Sequence, residues 1–138
     1  MSAYKDIELN IINTMLAFLG SVPLEYSGNP LTDADKTGVW CSLYNLRGES
    51  NPVTLGDKGE DNHPGIIQIN INNPLSEMEG PVLDLADTIL SHFTAGHALT
   101  YNAQTVSISR TSLGPTKPVD SYNRATVSLY YYSRTTRN

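Results

Sequence analysis

From Ile67 to Asn72 apolar and polar side chains alternate without a break, Ile67, Ile69 and Ile71 on one side and Gln68, Asn70 and Asn72 on the other. This period of two turns one face of a strand to a core and leaves the other in a polar setting. A second alternation, Gly38 to Leu46, sets Val39, Cys41, Leu43 and Asn45 against Trp40, Ser42, Tyr44 and Leu46; it predicts a strand but leaves the inward face open. A third runs from Ser121 to Arg134, with Ala125, Val127, Leu129 and Tyr131 facing one way and Tyr122, Arg124, Thr126, Ser128, Tyr130 and Tyr132 the other. Shorter runs, Leu99–Tyr101 and Thr105–Thr111, are broken by Asn102, Ala103 and Gln104. Two stretches have the helical period instead. Val82, Leu85, Ala86, Ile89, Leu90 and Phe93 stand at i, i+3, i+4, i+7, i+8 and i+11, which predicts a helix entered at Gly80-Pro81 and ended by Gly96 as a left-handed cap. Ile7, Ile11, Leu16 and Leu19, widened by Ile12, Met15 and Phe18, predict another, capped by Ser2 and stopped at Gly20.

Between these elements the chain is turn-like. Ser21–Lys36 and Leu113–Pro118 hold prolines and glycines and read as connections, and Thr135–Asn138 as a frayed tail. The predicted architecture is one α+β domain over residues 1–138: an antiparallel sheet with two helices packed on one face, in the order α-β-β-α-β-β. The Gly38 and Ile67 strands form its first hairpin, joined by a long loop that starts near Arg47. A tight hairpin needs two to five residues, so this length serves something besides closing the turn. Gly56 to Gly65 is polar, charged and glycine-punctuated. It holds too little apolar surface to offset ordering entropy, and so is either mobile or ordered by a partner.

At 138 residues and 15.1 kDa the chain can bury a core without disulfides, and the lone Cys41 can form no internal bridge and no thiolate zinc site. Cys41, within a strand, reads as a small core residue. No basic-apolar leader and no apolar run of about 20 residues is present, so the expectation is a soluble, unexported protein without a membrane partner. The net charge of −5 argues against nucleic acid as a partner. That charge is split: residues 1–109 carry four cationic and thirteen anionic side chains, and residues 110–138 five and one. Regions of opposite sign can meet between identical neighbours, or simply be two solvated surfaces.

The candidate chemistry is thin. Asp57, Glu60 and Asp61 share a glycine-containing loop, but the ligand spacing and terminal glutamate of an EF-hand are missing. Solvated charge is the simpler reading, with a calcium-dependent binding module as the alternative from another class. His63 has no nucleophile elbow to serve, and no second element fixes a serine beside it. His92 and His97 flank a helix end without ligand spacing. No phosphate-binding or dinucleotide motif occurs. No catalytic residue, cofactor or metal is therefore expected. The tyrosine stripe with Arg124 on the last strand supports two readings, a subunit interface or ordinary cross-strand pairs.

In order and spacing the chain resembles the tail terminator and tail completion proteins of long-tailed, siphovirus-type bacteriophages. The resemblance rests on the amphipathic first helix, N-P-V-T-L-G-D-K-G at Asn51–Gly59, G-I-I-Q-I-N-I at Gly65–Ile71 and L-D-L-A-D-T-I-L-S-H-F at Leu83–Phe93. It continues through V-S-I at Val106–Ile108, Gly114-Pro115 and a tyrosine-rich final strand. It implies a structural virion protein of the tail and neck, assembled in the host cytoplasm. Such a protein forms a homo-hexameric ring on the tail tube protein, stops tube polymerisation, and offers a surface to a head-side connector or head-closure protein. A head-closure or other neck protein is the competing assignment. In this frame Arg47, Asp57, Lys58, Glu60, Asp61 and His63 are expected in a loop that reaches the tube or a neighbour. Tyr122, Arg124, Tyr130 and Tyr132 are expected at the subunit interface.

Overall fold

In the computed structural model, which describes residues 3–56, 58–101 and 104–136, two long strands set the frame. β4 (Glu60–Pro74) and β8 (Tyr122–Thr136) pair antiparallel in unbroken register from Glu60 opposite Thr136 to Pro74 opposite Tyr122. β2 (Trp40–Arg47) lies antiparallel on the other side of β4, and β1 (Leu24–Glu25) runs parallel to β2 at that edge. Beyond β8 come β6 (Gln104–Leu113) and then β5 (Ala98–Tyr101). The two- and three-residue strands β3 (Asn51–Pro52) and β7 (Lys117–Val119) pair on β4 and β8 outside this path. Helix α1 (Ala3–Leu19) precedes the sheet, and helix α2 (Gly80–His92) connects β4 to β5.

The sequence-predicted alternations fall where burial requires. Ile67, Ile69 and Ile71, Ala125, Val127 and Leu129, and Val106 and Ile108 are all at 1% exposure or less. Cys41 and Leu43 settle the inward face of β2, with Asn45 and Arg47 following them on that side. Ile7, Ile11, Met15 and Leu19 of α1 and Val82, Ala86, Ile89 and Phe93 at α2 complete one core. Full burial of each large aliphatic side chain is worth about 1.5–3 kcal/mol. Leu16 is exposed, and α1 holds its place partly through a polar contact: the buried Asn10 amide donates to the Leu99 and Gln104 carbonyls at 2.9 and 3.2 Å.

The expected sandwich of four strands under two helices in the order α-β-β-α-β-β is corrected. Among the described residues strand is the predominant regular structure, with eight strands in one curled sheet. The helices do not form an even layer on one face: α1 contacts β5, β6 and β2, near both edges, whereas α2 contacts the central β8 and β4. β1, β3 and β7 are too short for alternation to register. β1, with a 3-10 turn at Asp33–Lys36, lies inside the stretch read as a connection, and β7 begins inside the second. A register shift in β6 between Ile108 and Arg110 adds the local bend and twist of a bulge.

Several smaller expectations change with it. α2 starts at Gly80 with Pro81 in its first turn, as read, but ends at His92 with Phe93 as its cap. Gly96, at φ +93°, serves the following turn, where the His97 amide donates to the Thr94 carbonyl. Thr135 and Thr136 pair with Asp61 and Glu60, so that part of the supposed frayed tail is strand. The polar setting expected for Asn70 and Asn72 is internal to the protein: Thr126 and Arg124 donate to their side-chain oxygens at 2.8 and 2.7 Å, and both asparagines are buried. Ser2, Asp57, Asn102, Ala103, Arg137 and Asn138 lie outside the described residues.

Candidate interaction surface

The polar stretch from Arg47 to His63 is ordered by the chain itself. Glu60, Asp61 and His63 belong to β4, Arg47 closes β2, and β3 folds back so that Asn51 and Pro52 face Asn62 and Asp61. The connection that remains is a tip between Val53 and Gly59, closed by the Val53 amide donating to the Glu60 carbonyl and the Glu60 amide to Thr54 Oγ1. Lys58 sits in its turn, and Asp57 is outside the described residues. The tip presents Leu55, 93% exposed, beside the exposed Val53.

His63 anchors this arm and is 8% exposed. Its Nδ1 lies 2.7 Å from Ser50 Oγ and its Nε2 2.7 Å from Thr135 Oγ1. The Tyr4 ring meets the imidazole edge-on at 5.3 Å, while its hydroxyl bonds Ser50 Oγ at 2.7 Å. A serine does stand beside the histidine, contrary to the sequence expectation, yet the second ring nitrogen meets a hydroxyl, which cannot stabilise an imidazolium as the third member of a triad does. The cluster ties α1, the β2–β3 turn, β4 and β8 together. Arg47 points toward α1, 3.9 Å from Glu8. Among the described residues expected in the reaching loop, Lys58 lies in the tip and Glu60 at its closing pair, while Arg47, Asp61 and His63 lie in paired strand.

On the sheet face away from the core, strand register assembles a second feature. Leu46 lies opposite Ile66, Ile66 opposite Tyr130, and Tyr130 opposite Arg110. The next row places Pro64 beside Tyr132. Tyr44, Leu46 and Tyr132 are 48%, 46% and 39% exposed. Two arginines lie on the tyrosines, Arg110 at 3.7 Å from the Tyr130 ring centre and Arg134 at 5.9 Å from that of Tyr132. Tyr122 and Arg124, grouped with these tyrosines in the sequence, are engaged within the chain. Tyr122 meets buried Trp40 edge-on at 5.2 Å, and Arg124 donates to Asn72. Leu46 and Ile66 were not singled out because an apolar residue on a strand was assigned to the core; the apolar residues on both sides of the Gly38–Leu46 alternation, whose inward face the pattern left open, were the available signal.

A third exposed feature lies at the opposite end of β4. The turn Leu75–Glu79 carries Met78, between Glu77 and Glu79, at 83% exposure and Leu75 at 46%. The Asn73 amide donates to the Met78 carbonyl at 2.8 Å and the Asn123 amide to the Glu77 carbonyl at 3.0 Å. Among the described residues no group of three or more His, Cys, Asp or Glu side chains could hold a metal, and no helix is long and apolar enough to cross a membrane. Burial pushes the Cys41 thiol up to about 12.

Exposed apolar groups on rigid strands and turns mark contact surfaces more than a reaction site, and comparison with known proteins agrees with that. The phage tail terminator protein family matches residues 13–131. The chain belongs to that family. The family is a structural one, so this member is a bacteriophage tail component that interacts with other parts of the tail. No curated protein matches the sequence. A solved structure of 16% identity shares the fold, with a TM-score of 0.69 over 94% of this chain and 92% of the other.

Proposed function

We propose that this terminator forms a hexameric ring that seats on the end of the tail tube, ends tube polymerisation and presents its far side for head attachment. The observation that carries the reading is the family match across residues 13–131. The exposed features support it physically, because a closed ring needs two different complementary patches on each subunit, and further surface must remain for the tube. The tip with Val53 and Leu55 is the tube-reaching element, a reading supported by its place outside the paired strands and by the 93% exposure of Leu55. The loop proposal is thereby narrowed from Arg47–His63 to this tip: removing Lys58–Asn62 would take out residues of β4 that pair with β8.

The test is to add the purified protein to polymerising tube subunits of the same phage. Capped tubes of reduced length, ending in a ring visible by negative stain, are expected. Tubes that grow unchanged with the protein at saturating concentration would rule the reading out. Light scattering across a concentration series separates ring formation in free solution from assembly templated by the tube.

A further inference from the structure

We propose that two copies of this chain meet head to tail, the Leu75–Glu79 turn of one seated on the aromatic outer face of β4 and β8 of the next. The inference rests on the ring reading above and names its contact. The receiving face is formed by Leu46, Ile66, Tyr130 and Tyr132, with Arg110 and Arg134 on its rim. The inserting turn exposes Met78 and Leu75, with Glu77 and Glu79 on either side of Met78. Each surface supplies what the other lacks. A thioether is adaptable and packs well against aromatic rings. A guanidinium lying on a tyrosine keeps its edge free to take a carboxylate in bidentate fashion.

The geometry favours an intermolecular contact over an internal one. Ile66 and Leu75 are nine residues apart along β4 and the turn after it, on the order of 30 Å of extended chain. The turn is also preorganised. With the Met78 and Glu77 carbonyls fixed by Asn73 and Asn123, holding Met78 in place costs less ordering entropy than in a free loop. Because the two patches differ, the contact is heterologous, the type that a rotation closes into a ring.

Single-cysteine partners test this directly, since Cys41 is fully buried. Met78→Cys and Tyr132→Cys proteins, mixed before assembly and held under mild oxidation, should give a disulfide-linked dimer that neither protein gives when assembled alone. In parallel, Arg110→Glu with Arg134→Glu should weaken association by about tenfold or more at low salt. Adding Glu77→Arg and Glu79→Arg to that variant should restore most of it. Rings that form normally with no cross-link in the mixture, and with the charge-reversed variant unaffected, would overturn this contact while leaving the ring intact. A wild-type chain that forms no ring even on the tube would overturn both.

Discussion

Gly65 shows what one missing side chain permits. It lies opposite Tyr131, whose ring occupies the space a Cβ at position 65 would need. Tyr131 in turn reaches across β4 to donate to Asn45 Oδ1 at 2.6 Å, and Asn45 donates to Glu8 of α1 at 2.9 Å. Gly65→Ala should therefore lower stability by about 1–3 kcal/mol, an overpacking cost. In denaturant titrations the loss should shrink when Tyr131→Val is combined with it, because the clash partner is then gone. The same tyrosine governs alkaline behaviour. Burial, the larger effect, raises its phenol from 10.0 to about 12, as it raises the Cys41 thiol. In the unfolded chain both groups ionise near their ordinary values. The stability held by the neutral forms is thus complete below about pH 9 and is lost as pH rises toward 12. Tyr131→Phe should make stability fall less steeply between pH 10 and 12; an unchanged slope would show that this phenol does not titrate differently in the two states.

At the scale of elements, legibility followed length. The strands around Ile67, Val106 and Val127 and the helix from Gly80 were visible because each repeats its period several times, and the core positions followed from the repeat. β1, β3 and β7 contain two or three residues, so pairing with a longer neighbour, not their own pattern, makes them strands. The arm from Glu60 to Gly65 was read as a loop for a related reason. Its order comes from a partner remote in sequence, the end of β8, and from His63 held between Ser50 and Thr135. Asn10 plays a similar part for α1. Asn10→Ala removes the donor shared by the Leu99 and Gln104 carbonyls and should cost about 1–3 kcal/mol by chemical denaturation. It should also make α1 more open to proteolysis than β4 or β8. Leu55→Ser, at a 93% exposed site, should change stability by no more than about 0.5 kcal/mol. If the tip reaches the tube, the same change should weaken tube capping in the assay above.

At the scale of the whole molecule, the proposed head-to-tail contact would make the charge split a property of assembly. Arg110 and Arg134 are exposed on β6 and β8, while Glu77 and Glu79 precede α2 and Asp84 and Asp87 lie within it. Apolar contacts between copies would hold or tighten in salt, whereas attraction between exposed arginines and glutamates is screened as the Debye length falls from about 10 Å at 0.1 M to 3 Å at 1 M. The two contributions therefore separate in one experiment. Raising sodium chloride from roughly 0.05 to 0.5 M should slow association of subunits more than it speeds dissociation, because steering depends on long-range charge and residence on the packed Met78 contact. Light scattering after dilution and stopped-flow mixing would measure the two rates. In the Arg110→Glu, Arg134→Glu, Glu77→Arg, Glu79→Arg protein the salt dependence should return with the same sign as in the wild type. A salt response that survives reversal of Arg110 and Arg134 alone would place the electrostatic contact elsewhere on the molecule.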